Sequence, residues 1–194
     1  MNSTTYLASD FPGLVLKPGL FYEWQPAIRF ELGDPKEQDE STYIAGSYDR
    51  AITLFKALHA PEDDCIVVMD AFEGDLKRRN LSPFLLNKER FRIVATSYVE
   101  DDATFIRFEI ARKVQDIAYF KLIRAIVHAD LGVKPNIPHR VYVLNMRTQT
   151  IFHVYDDRGC DVLASRVETL KPLYKQFSNW ILDYDRDAID RVFE

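Results

Sequence analysis

Apolar and polar residues alternate in several short segments of the chain, which is the pattern of strands that bury one face. Residues 27–32 and 104–113 show this period of two, and residues 92–99 form a β-rich run just before the second segment. The acidic triplet at residues 100–102 predicts a hairpin turn between the last two. Residues 65–70 instead form a continuous apolar run, which is typical of a central strand covered on both faces.

Three β-rich segments follow in the second half of the chain. They cover residues 140–145, 150–155 and 161–164, and short polar links join them. Because strands joined by short links pair antiparallel, we predict a three-stranded meander.

Apolar residues recur at intervals of three and four in two other segments, which predicts helices. Residues 41–60 carry such a stripe, and so do residues 114–129. A C-terminal helical region is predicted for residues 165–194, with Ser165 as the cap of its first helix and Glu168 as the capping-box partner.

In residues 1–26, proline and glycine interrupt scattered apolar residues. We interpret this segment as an irregular N-terminal arm that docks on the rest of the chain. Elsewhere the strands are grouped in hairpins and do not alternate strictly with helices. The pattern predicts an α+β fold for residues 1–194, a single domain with a largely antiparallel or mixed β-sheet packed against two to four helices.

Composition agrees with one globular domain and narrows the class of partner. The chain has 194 residues, 47% of them hydrophobic, and a formal net charge of −5. A negative field does not favour DNA or anionic membranes, so we expect no nucleic-acid partner and no membrane partner. One basic segment is interpreted as a solvated loop; its bases are Lys77, Arg78, Arg79, Lys88, Arg90 and Arg92.

Two features predict a cytoplasmic location. Cys65 and Cys160 lie far apart and outside any CxxC or zinc-ligand spacing, which is typical of free thiols in a reducing compartment. No stretch approaches the roughly 18 apolar residues needed to span a bilayer, and residues 1–10 lack the features of a secretion signal.

The sequence YDDRGCD, residues 155–161, concentrates the side chains that could carry chemistry. Asp156, Asp157, Arg158 and Asp161 could hold a divalent cation or a phosphate-bearing ligand. The same residue types also build a tight turn, because Asp accepts hydrogen bonds from its own backbone and glycine adopts positive φ. The turn explains every residue type in this segment except Arg158.

Metal and nucleophilic chemistry receive less support from the sequence. Adjacent residues on a strand point to opposite faces, so Asp156 and Asp157 need not converge on one ion. The four histidines have no zinc-ligand spacing. Cys160, with His153 nearby in sequence, is interpreted as a buried structural thiol. We therefore predict no metal and no cofactor, and we assign no catalytic residue.

The C-terminal sequence WILDYDR, residues 180–186, is a second polar motif. Its Asp183, Asp185 and Arg186 could form an acidic face for a partner or the solvated side of a helix. We expect Arg158 to pair with Asp183 or Asp185, which would hold the C-terminal region against the sheet.

Four segments, taken in order, resemble a bacterial family, the DUF3885 proteins. They are FELG at residues 30–33, SYDRAITLFKALH at 47–59, IFHVYDDRGCDVLA at 151–164 and LKPLYKQFSNWILDYDR at 170–186. The resemblance extends over nearly the whole chain, and YDDRGCD followed by WILDYDR is its most specific part. It implies a single small cytosolic bacterial domain and implies no activity.

These observations favour a protein-binding module. Small acidic bacterial domains without catalytic motifs include immunity proteins, which block a toxin through an acidic face, so we expect a basic protein partner. The alternative is an enzyme or sensor that binds a metal ion or a phosphate-bearing ligand. Its site would comprise Asp156, Asp157, Arg158, Asp161, Asp183, Asp185 and Arg186.

Overall fold

A computed structural model describes residues 1–74, 81–86 and 93–194. The bases of the expected solvated loop lie outside these ranges; they are Lys77, Arg78, Arg79, Lys88, Arg90 and Arg92.

Seven strands of the described residues form one sheet with the order β1-β7-β6-β5-β2-β4-β3. Every neighbouring pair is antiparallel. The strands are β1 (Ala27–Glu31), β2 (Asp64–Phe72), β3 (Val94–Glu100), β4 (Ala103–Lys113), β5 (Arg140–Asn145), β6 (Thr150–Val154) and β7 (Gly159–Ala164). The sheet confirms the predicted α+β fold, the hairpin of β3 and β4, and the meander of β5, β6 and β7.

The continuous apolar run of the sequence lies in β2, an inner strand between β4 and β5. Residues 65–71 of this strand are buried, while its end residues, Asp64 and Phe72, are exposed. When both faces of a strand are covered, its apolar side chains are removed from water, which stabilises the fold by roughly 25 cal/mol per Å² of buried apolar area. This explains why the run shows no polar–apolar alternation through residue 69.

Five α-helices accompany the sheet in the described ranges: α1 (Ser3–Asp10), α2 (Glu40–Leu58), α3 (Tyr119–Val127), α4 (Val167–Gln176) and α5 (Arg186–Phe193). Three of them, α2, α3 and α4, pack on the strands, and α5 packs on α4. The helix expected over residues 114–129 is shorter, because Ile117 pairs with Leu85 and the Ala118 amide donates to the Phe84 carbonyl oxygen.

The N-terminal arm contains a helix, α1, where irregular structure was expected. Asn2 caps it by accepting a hydrogen bond from the Thr5 amide at 2.9 Å. Ser3 donates to the Glu109 carboxylate from both its amide and its hydroxyl, at 2.8 and 2.6 Å. Only Ser3, Tyr6 and Leu7 of α1 are buried, so its apolar stripe is too short to identify in the sequence.

The start of α4 also differs from the expected capping box. The Ser165 hydroxyl donates to Oε1 of Gln149 at 3.1 Å, and its amide donates to the Gln149 carbonyl oxygen at 3.0 Å. Arg166 occupies the N-cap position without a side-chain hydrogen bond. The pairing of β6 with β7 brings Ser165 beside the turn at Gln149, and that turn takes the hydrogen bonds of the serine.

Two different layers cover the sheet. α2 and α3 lie on one face, where the Phe55 ring contacts the Phe152 ring at 5.4 Å between centroids. Asp161 points to the opposite face, because Phe152 pairs with its neighbour Val162. There the N-terminal arm covers the sheet, and the Phe21 amide donates to Asp161 at 3.2 Å. A helical layer and the arm therefore enclose the strands between them.

His59 follows α2 in an apolar environment. Its ring stacks on Phe55 at 4.0 Å between centroids, and Nδ1 lies 2.8 Å from the Phe55 carbonyl oxygen. Nε2 has no hydrogen-bond partner among the described residues. Burial lowers the pKa of His59 to about 4, because the protonated ring would lose its hydration. Burial also lowers the pKa values of His128 and His153.

We predict that the protein loses stability as the solution is acidified. An unfolded histidine takes up a proton near pH 6.5, whereas folded His59 does so only near pH 4. The contribution of His59 to the free energy of unfolding is therefore fully present above pH 6.5 and is lost as the pH falls from 6.5 to about 4. The loss from His59 is up to about 3 kcal/mol. Urea unfolding at several pH values measures it. In His59→Phe, which keeps the ring stack, the dependence on pH should be shallower; equal slopes would contradict the assignment.

The turn between β3 and β4 has an unusual sequence for its geometry. Glu100 pairs with Ala103, which leaves Asp101 and Asp102 as a two-residue loop. Both have positive φ, 48° and 62°, as in a type I′ turn, where asparagine and glycine are preferred. An aspartate in this left-handed region carries a steric cost that glycine does not.

We predict that Asp102→Gly raises the free energy of unfolding by about 0.5 to 1 kcal/mol, because glycine adopts positive φ without a Cβ clash. Asp102→Ala is the matched comparison and should lower it, since alanine keeps the clash and cannot hydrogen-bond locally. Chemical unfolding of the three proteins gives the order of stability. An alanine variant more stable than the glycine variant would contradict the turn geometry.

Candidate functional site

Asp156 stabilises the turn that links β6 to β7. Its Oδ1 accepts a hydrogen bond from the Arg158 amide at 2.8 Å, and its Oδ2 accepts from Nε of Arg158 at 2.8 Å and from Nη2 of the same guanidinium. The Asp156 side chain is buried, whereas the Arg158 side chain is 70% exposed. An aspartate that bonds the amide two residues later forms the tight turn expected from the sequence.

Asp157 makes a separate contact, with α2. Its Oδ2 accepts a hydrogen bond from the Tyr43 hydroxyl at 2.8 Å, and the residue is buried. Burial and this hydrogen bond raise the pKa of Tyr43 to about 12. Tyr43 also packs on Gly33, where any side chain would overlap the tyrosine ring. Asp157 therefore fixes the link against the first turns of α2.

Gly159 does not have the positive φ that the sequence led us to expect. A Cβ atom at this position would overlap the Tyr155 hydroxyl and would lie 3.1 Å from the Phe30 carbonyl oxygen. The glycine is explained by the close approach of Tyr155 and of β1, and turn geometry does not require it.

Asp161 lies on β7 beneath the N-terminal arm and has no exposed side-chain surface. Its two carboxylate oxygens accept hydrogen bonds from Nε and Nη2 of Arg29, at 2.7 and 2.9 Å. The strand register places Arg29 directly opposite Asp161. This bidentate ion pair joins β1 to β7.

Asp185 approaches the same guanidinium from the C-terminal region. One of its oxygens lies 3.7 Å from Nη1 of Arg29, and its carboxylate accepts a hydrogen bond from the Tyr22 hydroxyl at 3.1 Å. Arg29 thus contacts acids from both sequence motifs. We call Tyr22, Arg29, Asp161 and Asp185 the Arg29 cluster.

The expected pairing of Arg158 with Asp183 or Asp185 is wrong. Arg158 lies on the solvent side of the β6–β7 link, where its second carboxylate is Asp130 at 3.7 Å. Arg29 takes the expected role, because its strand lies beside β7 and its side chain is only 12% exposed.

Three aromatic rings surround the Arg29 guanidinium. Its central carbon lies 4.7 Å from the ring centroid of Tyr22, 5.3 Å from that of Phe21 and 5.6 Å from that of Tyr155. Burial alone would lower the pKa of Arg29, but the hydrogen bonds and charge of Asp161 outweigh it and raise the pKa. The rings and carboxylates together replace the hydration that the guanidinium loses.

Asp183 and Arg186 have different surroundings. The Asp183 side chain is 92% exposed and accepts a hydrogen bond from Nε of Arg186 at 3.0 Å. Nη2 of Arg186 donates to the carbonyl oxygens of Ser178 and Ile181 at 3.2 and 3.0 Å. Arg186 therefore fixes the turn before α5, and Asp183 stays at the surface.

The expected site residues thus do not form one site. The structure brings Asp161 and Asp185 together on Arg29, which sequence reasoning missed. Asp156, Asp157 and Arg158 form a separate structural turn. Among the described residues, no group of three or more His, Cys, Asp or Glu side chains is arranged to hold a metal ion.

Cys160 is not positioned as a nucleophile. It is buried, and burial raises the pKa of its thiol well above the ordinary value, which disfavours the thiolate. Nδ1 of His153 lies 2.8 Å from the Val141 carbonyl oxygen, and its ring stacks on Tyr142 at 4.3 Å between centroids. Cys65 is also buried, and burial raises its pKa to about 12.

A second buried ion pair lies under the arm and was not expected. Asp70 of β2 has no exposed side-chain surface and accepts hydrogen bonds from Nε and Nη2 of Arg107, at 2.7 and 2.6 Å. Nη2 of Arg107 also donates to the Leu16 carbonyl oxygen of the arm at 3.3 Å. Arg140, opposite Asp70 on β5, pairs with Glu100 at 2.5 Å.

Part of the Arg29 region reaches the solvent. Tyr184 is 86% exposed and Tyr22 is 61% exposed, although both adjoin the buried Asp185. The Tyr22 hydroxyl donates to the carboxylate of Asp185, the residue that follows Tyr184, so the two tyrosines lie close together at the surface. We call Tyr22, Asp183 and Tyr184 the tyrosine–acid patch. This patch presents two aromatic rings and one carboxylate to the solvent.

Comparison with known proteins identifies the family. The family model described as a domain of unknown function, DUF3885, matches residues 3–185. The chain belongs to the DUF3885 family. The matched range includes YDDRGCD, WILDYDR as far as Asp185 and the whole Arg29 cluster.

A relative of this DUF3885 chain is the uncharacterised protein YnaE of Bacillus subtilis (strain 168). The two are 24% identical over an alignment 210 positions long, which covers 95% of this chain and 99% of the relative. No solved structure matches the chain. Within the described residues of this DUF3885 member, no helix has both the length and the apolar character needed to cross a membrane.

We predict that Arg29→Met lowers the free energy of unfolding by about 3 to 5 kcal/mol, because it leaves the Asp161 carboxylate buried without its counter-charge. Arg166→Met is the matched control. The exposed Arg166 side chain donates to the neutral amide oxygen of Gln149 and its removal leaves no buried charge unpaired, so we expect a loss below about 1 kcal/mol. Urea unfolding compares the two variants, and equal losses would contradict the different roles of the two arginines.

Proposed function

We propose that the protein is a binding module that recognises a basic protein partner through the tyrosine–acid patch of Tyr22, Asp183 and Tyr184. The main support is Tyr184, which is 86% exposed beside the 92% exposed side chain of Asp183. So large an aromatic side chain contributes little to the core from this position. Tyrosine is enriched at protein interfaces and among the residues that dominate their binding energy.

The charge of the patch favours a basic partner. A lysine or arginine of the partner can pair with the Asp183 carboxylate and stack on a tyrosine ring. The net charge of −5 over the whole chain adds long-range attraction for such a protein.

The backbone beneath the patch is held in place by buried contacts. The Tyr22 hydroxyl donates to Asp185, and the Leu182 amide donates to the Arg29 carbonyl oxygen at 3.0 Å. Arg186 bonds two carbonyl oxygens of the preceding turn. A surface whose backbone is already ordered loses little conformational entropy when a partner binds.

Within this class we propose a module of the immunity type, which acts in the cytoplasm by covering the basic site of a toxin. The two buried free cysteines agree with a reducing compartment. The alternative ligand site at Asp156, Asp157 and Arg158 is less suited to this role, because both of its carboxylates are buried, whereas the Asp183 side chain is 92% exposed.

We predict that affinity capture from the organism's own cells recovers a basic protein, and that Tyr184→Ala weakens the purified complex about tenfold or more. Calorimetry of the purified pair gives the dissociation constant at two salt concentrations. Binding should be tighter at the lower salt, because opposite charges are then less screened.

Phe120→Ala is the matched control for the capture experiment. Phe120 is an exposed aromatic residue of α3, with 42% of its surface accessible, and lies outside the patch. Its removal should leave the dissociation constant unchanged. Two results would contradict the proposal: recovery of no partner at physiological salt, or equal affinities for Tyr184→Ala and the unaltered protein.

A further inference from the structure

The two edge strands of the sheet, β1 and β3, differ in the backbone pairing of their outer sides. At the β1 edge, Ile181 forms a bridge with Phe30, and the Leu182 amide donates to the Arg29 carbonyl oxygen at 3.0 Å. At the other edge, no described residue makes a backbone pairing with the outer side of β3. A row of unpaired amide and carbonyl groups can pair with another strand.

The turn geometry shows which groups of β3 face outward. In a two-residue type I′ hairpin, the residues on either side of the loop, here Glu100 and Ala103, exchange hydrogen bonds with each other. Bonding then alternates along the strand, so Tyr98 and Thr96 also bond to β4. The outward amide and carbonyl groups belong to Ala95, Ser97 and Val99.

Most of β3 lacks the features that protect a free edge, and the exception is Glu100 at its end. Residues 94–99 contain no charged residue and no proline. Most of the strand is exposed, and Val99 reaches 70%. Natural edge strands are usually protected by lysine, proline, a bulge or a covering segment.

We propose that β3 pairs with β3 of a second copy of this chain, antiparallel about a two-fold axis at Ser97. The charge pattern of the strand supports a second copy as its occupant. In this register the uncharged residues 94–99 of the two copies face one another, with Tyr98 opposite Thr96 and Val99 opposite Ala95.

The acidic residues of the two copies are kept apart in this arrangement. Glu100 faces Val94 of the partner subunit, and the Asp101–Asp102 loops lie at opposite ends of the interface. A parallel arrangement would place these acids side by side, which is unfavourable. The two-fold contact also covers Val99, and it leaves the tyrosine–acid patch free because the patch adjoins the β1 edge.

Light scattering after size-exclusion chromatography tests the proposal over a range of protein concentrations. The unaltered protein should approach twice the 22.6 kDa monomer mass as concentration rises. Ser97→Pro removes the central outward amide without removing a bond to β4, and it should raise the dimer dissociation constant about tenfold or more. Ser97→Thr keeps the amide and is the matched control, which should dimerise like the unaltered protein.

Hydrogen exchange of the unaltered protein provides a test that does not depend on how Ser97→Pro folds. The amides of Ala95, Ser97 and Val99 should be more protected at high than at low protein concentration, whereas those of Thr96 and Tyr98 should change less. A monomer at every concentration up to the millimolar range would overturn the proposal. So would a folded Ser97→Pro that still dimerises, or outward amides whose protection is independent of concentration.

Discussion

The buried ion pair of Arg29 and Asp161 is the contact on which the rest of the structure depends. Arg29 belongs to β1, and its guanidinium contacts three other parts of the chain. These are β7 through Asp161, the arm through the Tyr22 ring and the C-terminal region through Asp185. A buried pair adds little net stability over an apolar one, but either charge left alone is costly. The pair therefore acts mainly by making other arrangements of these four parts unfavourable.

The same face of the sheet shows how an irregular segment can be packed over strands. Beyond α1 the arm has few regular backbone hydrogen bonds of its own, and its buried amide and carbonyl groups, like the amides at the start of α1, need other partners. Ionised side chains of the strands supply them: Glu109 accepts from Ser3, Arg107 donates to the Leu16 carbonyl oxygen and Asp161 accepts from the Phe21 amide. Hydrogen bonds to charged groups contribute roughly 1.5 to 3 kcal/mol each, more than neutral ones. The charges inside the fold thus have a structural explanation.

Much of the fold could be predicted because its signals are local. Period-two segments and turn residues lie within a few positions of each other, and they identified the strands, the hairpin and the meander. The site was harder, because its partners are distant: Arg29 and Asp161 are 132 positions apart. The alternation in β1 puts Arg29 on the face of the strand opposite to Ile28 and Phe30. Its partner could not be identified from this pattern, because β1 and β7 are not consecutive strands and their pairing is not visible in the sequence. Gly159 was misread because positive φ and close packing both favour glycine.

The position of β1 has a consequence for how the chain folds during synthesis. One side of β1 pairs with β7, and the other is covered by Ile181 and Leu182, so both backbone partners of this strand lie far downstream in the sequence. During synthesis, Arg29 stays without its counter-charge until Asp161, 132 positions later, has emerged. Contacts of such long sequence separation slow folding. β1 can therefore join the sheet only after the strands between it and β7 in the sequence have been made, and its pairing depends on the nascent chain staying soluble until then.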